Sequence, residues 1–167
     1  MANRYSFEFF PPKTEAGREK LVATRNELNS LAPDFFSVTY GAGGSTRDNT
    51  RGIVLDAKAA GIDVAPHLSF GGDEEEEVLA LVEQYRQAGV RRIVALRGDI
   101  PSGMGATRLV YARELVEFIR KHTGDHFELE VAAYPEVHPD APSYEQDVAY
   151  LKEKLDAGAN SAITQYF

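Results

Sequence analysis

Six short runs of apolar and β-branched residues alternate with five amphipathic segments along the chain. The runs are nearly continuous in apolar character, which is typical of strands covered on both faces. They occupy residues 5–10, 35–40, 64–69, 92–96, 128–134 and 162–167. Their starts recur about every 30 residues, the size of one strand plus one helix. This alternation predicts a parallel sheet whose strands are joined by right-handed helical crossovers.

A repeated pattern marks the points where a helix ends and the next strand begins. Residues 58–68, 86–96 and 155–165 each hold a polar helical end, an Ala-Gly pair and a short apolar run. Glycine adopts the left-handed conformation that ends many helices, because it has no Cβ to clash. Helices are therefore predicted to end at Gly61, Gly89 and Gly158.

Capping residues predict where the five helices begin. Thr14 precedes the first helix, and Ser143 with Gln146 forms a capping-box pattern at the fifth. The second, third and fourth helices are expected to open at Thr46 and Asp48, at Asp73, and at Thr107.

Two architectures fit this alternation, an open doubly wound sheet and a barrel. A Rossmann sheet carries Gly-x-Gly-x-x-Gly after its first strand. Here the glycine-rich turn follows the second strand, and its sixth position is Thr46. Polar residues stand instead at the ends of nearly all strands, where a barrel places its active site: Glu8, Thr39, His67, Arg97, Asp99, Tyr134, Glu136 and Gln165. We therefore predict an α/β fold of the (β/α)8 TIM-barrel family with about six of eight strands present, residues 1–167 forming one partial domain without linker or tail.

Composition narrows the class of protein. Hydrophobic residues make up 43% and charged residues 26%, as in soluble globular domains. Eighteen Lys and Arg against 26 Asp and Glu give a net charge of −8, which argues against nucleic-acid binding. The chain has no apolar stretch of about 20 residues, which a membrane span needs, and no signal-peptide core. The absence of cysteine excludes disulfides and thiolate metal sites. These features predict a cytoplasmic protein with neither a nucleic-acid nor a membrane partner.

Glu8 is the first candidate for chemistry. Strand alternation places Ser6, Glu8 and Phe10 on one face and Phe7 and Phe9 on the other. A carboxylate among aromatic residues is costly to ionise, and a neutral carboxyl can act as a general acid near pH 7. The structural alternative is a Glu that is ion-paired or exposed.

Other polar residues leave two interpretations open. The glycine-rich turn at residues 41–46 either offers backbone donors to a ligand or simply connects a strand to a helix. His67 and His138 are ligand contacts or structural residues, since no His-x-His pair favours a metal. Asp147 and Lys154 are two helical turns apart, so they share a face that either meets a ribose and a phosphate or faces solvent.

Six motifs occur in order along the chain: FEFFPP at 7–12, SVTYGAGGST at 37–46, APHL at 65–68, ALRGD at 95–99, AYPEVHP at 133–139 and DAGANSAITQ at 156–165. Together they closely resemble the methylenetetrahydrofolate reductase family, bacterial type. The resemblance covers essentially the whole chain. It implies an FAD-containing (β/α)8 barrel that reduces 5,10-methylenetetrahydrofolate to 5-methyltetrahydrofolate with NADH or NADPH, for methionine synthesis. It also implies a folate substrate and a homo-oligomer.

The resemblance implies roles for individual residues. Glu8 would be the general acid that assists opening of the folate's five-membered ring. Asp99 would lie near both flavin and folate and influence the flavin's electronics. Gln165 would contact folate or nicotinamide. The positions expected to contact FAD are Thr39, Tyr40, Ala42, His67, Arg97, Gly98, Asp99, Ala112, Tyr134, His138, Ala141, Asp147 and Lys154.

The family's last two strands have no counterpart in these residues. An unclosed sheet exposes an edge, so we expect the chain alone to be inactive or poorly folded unless a second fragment or another copy covers the gap. Two other hypotheses stay open. One is a truncated chain that binds flavin or self-associates without turnover. The other is a metal-dependent barrel hydrolase or lyase that uses His67, Asp99, Glu136 and His138.

Overall fold

Strands and helices alternate without exception along the part of the chain that the structure describes. This structure is a computed structural model, and it describes residues 4–40, 44–70, 73–97 and 111–167. The elements in order are β1 (Ser6–Phe9), α1 (Glu15–Asn29), β2 (Phe35–Val38), α2 (Gly44–Ala59), β3 (Val64–Leu68), α3 (Glu75–Gln87), β4 (Arg92–Ala95), α4 (Ala112–Thr123), β5 (Glu128–Ala133), α5 (Tyr144–Asp156) and β6 (Ser161–Thr164).

The six strands form one parallel sheet in sequential order, from β1 at one edge to β6 at the other. Each strand pairs with the next one along the chain, so the strand order never reverses. A doubly wound sheet would show such a reversal at its ligand-binding crevice. The curled sheet with its alternating helices is a half-barrel, which confirms the prediction of a partial (β/α)8 barrel.

The two faces of the sheet have different compositions. Phe36 and Val38 of β2 point toward the helices and are 1% exposed, within an apolar core that also includes Tyr85 of α3 and Ile119 of α4. Between them, Ser37 points to the opposite, concave face, because side chains alternate along a strand. The central strands are buried on both faces, as the sequence predicts, whereas β6 is exposed along its whole length.

A charged cluster lies on the concave face near the amino ends of the strands. Arg92 forms ion pairs with Glu128 and with the buried Glu130. Its guanidinium also lies 4.5 Å above the ring of Phe35. The two carboxylates and the aromatic face compensate the partly buried cation. Elsewhere in the described ranges, no helix has the length and apolar character that a membrane crossing needs.

The predicted strands extend too far at their carboxyl ends. The structure ends them one to three residues earlier, at Phe9, Val38, Leu68, Ala95, Ala133 and Thr164. The apolar pattern continues past the last pairing because aromatic residues also occupy the following loops. Phe10 is 76% exposed and Tyr166 fully exposed, so neither belongs to a buried strand.

Two of the predicted helix starts are confirmed by their capping bonds. Thr14 Oγ1 accepts the N–H of Gly17 at 3.1 Å, and Ser143 Oγ accepts the N–H of Gln146 at 3.2 Å. Two other starts are wrong. Helix α2 begins at Gly44, so Thr46 and Asp48 both lie inside the helix and not before it. Helix α3 is preceded by Glu74, because the Asp73 carboxylate binds Tyr40 and Arg47 and does not cap the helix. Thr107 lies outside the described residues.

Arg120 of α4 joins the turns that precede β5 and β6. Its Nη1 donates to the carbonyl oxygens of Gly124 (3.0 Å) and Phe127 (2.8 Å). Its Nη2 donates to the carbonyl oxygen of Gly158 (2.8 Å) and to Asn160 Oδ1 (2.6 Å). One guanidinium therefore binds four oxygens from the two turns at this end of the sheet.

The three predicted helix-ending glycines all have positive φ: 76° at Gly61, 79° at Gly89 and 115° at Gly158. They differ in the space around them. A Cβ at Gly61 or Gly89 would meet no atom within 4 Å, whereas one at Gly158 would lie 3.0 Å from Cγ of Arg120. Of these three positions, only Gly158 needs the absence of a side chain for two reasons, its positive φ and the close approach of Arg120.

We expect Gly158→Ala to destabilise the fold more than Gly89→Ala. A left-handed conformation costs a residue with a Cβ about 1–2 kcal/mol, which applies to both variants. Gly158→Ala also displaces Arg120 and weakens its hydrogen bonds, which adds on the order of 1 kcal/mol. Urea unfolding of both variants measures the difference. Equal losses would contradict the role given to the Arg120 contact.

Candidate active site

The carboxyl ends of the six strands lie along one edge of the sheet and carry most of the predicted site residues. Thr39 and Gln165 continue the pairing just beyond the strands, their N–H groups donating to Phe9 O and Ala133 O at 2.9 and 2.8 Å. His67 is the last residue but one of strand β3, and Arg97 and Tyr134 follow β4 and β5. We call this edge the rim. A (β/α) barrel binds its ligands at this edge.

Glu8, Ser37 and His67 come together on the concave face of three neighbouring strands. Glu8 and Ser37 are direct partners in the β1–β2 register. Ser37 Oγ donates to Glu8 Oε2 at 3.3 Å. His67 Nε2 lies 3.2 Å from the same oxygen, although it is not aligned for a good hydrogen bond. The three side chains form a small polar cluster around one carboxylate oxygen.

The surroundings of Glu8 differ from the aromatic environment expected from the sequence. Phe7 and Phe9 lie on the other face of β1, where their rings stack on Phe36 at 5.9 and 5.5 Å between centroids. The Glu8 side chain is 49% exposed, and its contacts are a hydroxyl and an imidazole. Alternation along one strand identified its face correctly, but the neighbouring strands decide what it contacts.

Burial lowers the pKa of the His67 imidazole, and the negative charge of Glu8 opposes this effect by raising it. The side chain is only 12% exposed, so the neutral ring is favoured near neutral pH. A neutral imidazole carries a single N–H, and with that proton on Nε2 it faces Glu8 Oε2 at 3.2 Å without forming an aligned hydrogen bond.

The loop between β5 and α5 has a defined and strained backbone. Val137 adopts φ 82°, a conformation that costs a β-branched residue on the order of 1–3 kcal/mol. Asp147 Oδ2 accepts the N–H of His138 at 3.1 Å, and His138 Nδ1 accepts the N–H of Asp140 at 3.0 Å. The ring of Tyr134 packs edge-on against that of His138 at 4.5 Å. These two hydrogen bonds and the ring contact hold the loop in one conformation.

Two cations lie close to this loop. Arg97 Nη1 lies 2.9 Å from Asp140 Oδ2, which links the segment after β4 to the loop after β5. Lys154 Nζ donates to the carbonyl oxygen of Ala132 on β5. Burial lowers the pKa of the Lys154 ammonium, and the negative charge of Asp147 opposes this effect. Asp147 and Lys154 lie on the same side of α5, where Asp147 contacts the loop after β5 and Lys154 contacts β5 itself.

A second polar network at the rim was not predicted. Tyr40 Oη donates to Asp73 Oδ2 at 3.3 Å, and Arg47 Nη1 lies 2.8 Å from the same oxygen. Burial first, and then the Asp73 charge, raise the pKa of the Tyr40 phenol well above its usual value. Thirty-three residues separate Tyr40 from Asp73, and no local pattern in the sequence signals their contact.

Several predicted site residues are placed without direct side-chain contacts or lie outside the described residues. Ala112 is the first residue of α4, and the N–H of Ala141 donates to His138 O at 2.9 Å. Ala42, Gly98 and Asp99 lie outside the described residues. In the described ranges, no three His, Asp or Glu residues are placed to hold a metal ion, and Asp99 of the metal hypothesis lies outside these ranges.

The fold and the rim define a class: a protein of the (β/α)-barrel type whose strand ends carry titratable groups and cations. Comparison of the sequence with protein-family models gives a match to methylenetetrahydrofolate reductase over residues 2–167. The chain belongs to this family.

Several curated relatives support this assignment. The chain is 47% identical over 163 residues to 5,10-methylenetetrahydrofolate reductase of Escherichia coli K12, and equally so to that of Pectobacterium carotovorum. Each alignment covers 97% of this chain and 54% of the relative. Methylenetetrahydrofolate reductase (NADH) 1 of Arabidopsis thaliana is 40% identical, over 98% of this chain and 30% of that protein. The chain thus spans about half the length of the bacterial relatives.

Solved structures with low sequence identity share the fold. One crystal structure of 2,3-dimethylmalate lyase superposes with a TM-score of 0.61 at 15% identity, covering 97% of this chain and 58% of that one. Phosphoenolpyruvate phosphomutase from Streptomyces platensis gives 0.58 at 12% identity, covering 98% and 60%. At such identities the likeness concerns the fold alone.

We expect the buried His67 to make stability fall as the solution becomes acidic. Because its folded pKa is lowered, His67 contributes stability that is fully present above its unfolded pKa of about 6.5 and is lost as pH falls toward the folded pKa. His67→Gln should remove a slope of at most about 1.4 kcal/mol per pH unit. Urea unfolding between pH 7 and 5 measures it. The exposed His122→Gln is the control, and an unchanged slope in His67→Gln would refute the assignment.

Proposed function

We propose that this chain supplies the first six strand–helix units of an enzyme that reduces 5,10-methylenetetrahydrofolate to 5-methyltetrahydrofolate with NAD(P)H and FAD, in methionine synthesis. Family membership supports the reaction class. The structural observation that supports this chemistry is the cluster of Glu8, Ser37 and His67 on the concave face of the sheet. We further propose that residues 1–167 act as one domain of a cytoplasmic homo-oligomer, as the resemblance implies.

The described rim residues fit an elongated, anionic flavin dinucleotide. Lys154 is partly buried, and its one hydrogen bond among the described residues goes to Ala132 O, so two of its N–H groups are free to bind phosphate oxygens. Arg97 is anchored by Asp140 through Nη1 and keeps further donors available. Thr39 and the ring of Tyr134 flank the same edge. When bound, FAD supplies a two-electron carrier that takes a hydride from NAD(P)H and passes it to the folate.

We propose that the protein holds the dinucleotide with the side chains already assigned from the resemblance. Arg97, His138 and Lys154 bind its anionic part, and Asp147 holds the loop that carries His138. Thr39, Tyr40, His67 and Tyr134 shape the pocket for the flavin, together with backbone at Ala42, Gly98, Ala112 and Ala141. Asp99 remains proposed next to the flavin and folate, and Gln165 as a substrate contact.

Glu8 performs the acid step in this proposal. A protonated carboxyl at the open concave face donates its proton to the ring nitrogen of the folate as the five-membered ring opens. Ser37 and His67 then stabilise the carboxylate that is left, because both present polar hydrogens to Oε2. NADH is the proposed hydride donor, supported by the Arabidopsis relative whose name specifies NADH.

The test follows the two half-reactions separately in the full-length protein. The purified protein should show flavin absorption bands that bleach anaerobically with NADH and return when methylenetetrahydrofolate is added. Glu8→Gln should keep the bleaching step and slow the return step by about 10²–10⁴-fold, the usual contribution of a general acid. Stopped-flow absorbance measures both rates.

The exposed Glu76→Gln on α3 serves as the control and should match the unaltered protein. Equal slowing of both half-reactions by Glu8→Gln would contradict its role as the acid. Bound FAD with no folate-dependent return in the unaltered protein would favour a flavin-binding protein without turnover.

A further inference from the structure

Both neighbours of the Glu8 carboxylate approach the same oxygen. Ser37 Oγ and His67 Nε2 lie 3.3 and 3.2 Å from Oε2. In the ranges that the structure describes, no donor contacts Oε1. Ser37 is 5% exposed, while the Glu8 side chain is 49% exposed. Both neighbours therefore contact Oε2 of the carboxyl group, and neither contacts Oε1.

We propose that Ser37 is a positioning residue for Glu8, which fixes Oε2 together with His67 and leaves Oε1 as the oxygen that carries the transferred proton. This inference rests on the proposed function, in which Glu8 is the acid. In the transfer, the O–H bond at Oε1 breaks and an N–H bond forms on the folate. The bonding pair stays on the carboxylate, whose charge is then shared with the donors at Oε2.

The position of Ser37 in the sheet makes it suited to this role. It lies between Phe36 and Val38, whose 1% exposed side chains hold β2 against the helices. The register then places its Cα directly opposite that of Glu8. A glutamate side chain has several rotatable bonds and loses entropy when it is held in one geometry. A hydroxyl on a rigid central strand restrains it before the substrate arrives. Catalytic hydrogen bonds that are long without substrate, such as this one of 3.3 Å, often shorten in the reacting complex.

The titration of His67 reports where the Glu8 carboxylate lies. Glu8 is the described carboxylate in contact with the ring. The next concave-face neighbour of His67 is the apolar Val94, and beyond it Glu130 is paired with Arg92. The negative charge of Glu8 raises the pKa of His67 against the effect of burial. Movement of Glu8 away from the ring would therefore lower the midpoint of its titration.

The test measures this midpoint by nuclear magnetic resonance in the protein without cofactor. Glu8→Gln should lower the His67 midpoint, because the opposing charge is gone. Ser37→Ala should also lower the His67 midpoint, by a large part of the shift that Glu8→Gln causes. Ser37→Thr should restore the midpoint of the unaltered protein. Ser6→Ala, which removes an exposed hydroxyl from the same face of β1, should leave it unchanged. An unchanged His67 midpoint in Ser37→Ala overturns the proposal. This comparison with the unaltered protein tests the proposal even if Ser37→Thr fails to fold.

A kinetic measurement separates this inference from the proposed function. Ser37→Ala should slow the folate half-reaction about 10–100-fold, as expected for a misplaced catalytic group, without changing flavin reduction by NADH. If the unaltered protein does not reduce the folate, the proposed function fails, while the His67 titration still tests whether Ser37 positions Glu8. A folate step unaffected by Ser37→Ala refutes the positioning role.

Discussion

Parallel pairing of each strand with its successor is the constraint on which the rest of the structure depends. It places all described strand ends along one rim, and it brings side chains from distant parts of the chain together. Glu8 and Ser37 are 29 residues apart, yet they face each other because the β1–β2 register pairs them. A slip of one residue would turn Glu8 toward the helices and break the polar cluster.

The same pairing separates stability from chemistry within single strands. On β2, Phe36 and Val38 fill the apolar layer beneath the helices, while Ser37 between them contacts Glu8. Concave-face charges away from the rim, such as the Arg92 pairs with Glu128 and Glu130, are compensated internally. The rim differs from this region. Burial lowers the pKa values of Lys154 and His67. Among the described residues, Lys154 makes one hydrogen bond and His67 Nε2 makes none. Such groups are typical of a site prepared for a ligand.

The order of elements and the half-barrel could be predicted from the sequence, because buried strands read as apolar runs and glycines mark the helix ends. Strand ends could not, since exposed aromatics such as Phe10 continue the pattern beyond the last pairing. The face of Glu8 followed from alternation, but its polar partners come from other strands and leave no local signal. The contacts of Asp73 with Tyr40 and Arg47 depend on the paths of two loops, so a capping prediction that used only neighbouring residues was wrong.

The Ala-Gly turns bear on how the internal repeat should be interpreted. Gly61, Gly89 and Gly158 share a positive φ, a geometry that each helix-to-strand turn demands independently of the others. Similar sequences at these three points would arise by selection for that geometry even in units with separate histories. The repeat is therefore poor support for an origin by tandem duplication. Residues without such a backbone requirement, such as those that line the concave face, would be the better record of ancestry.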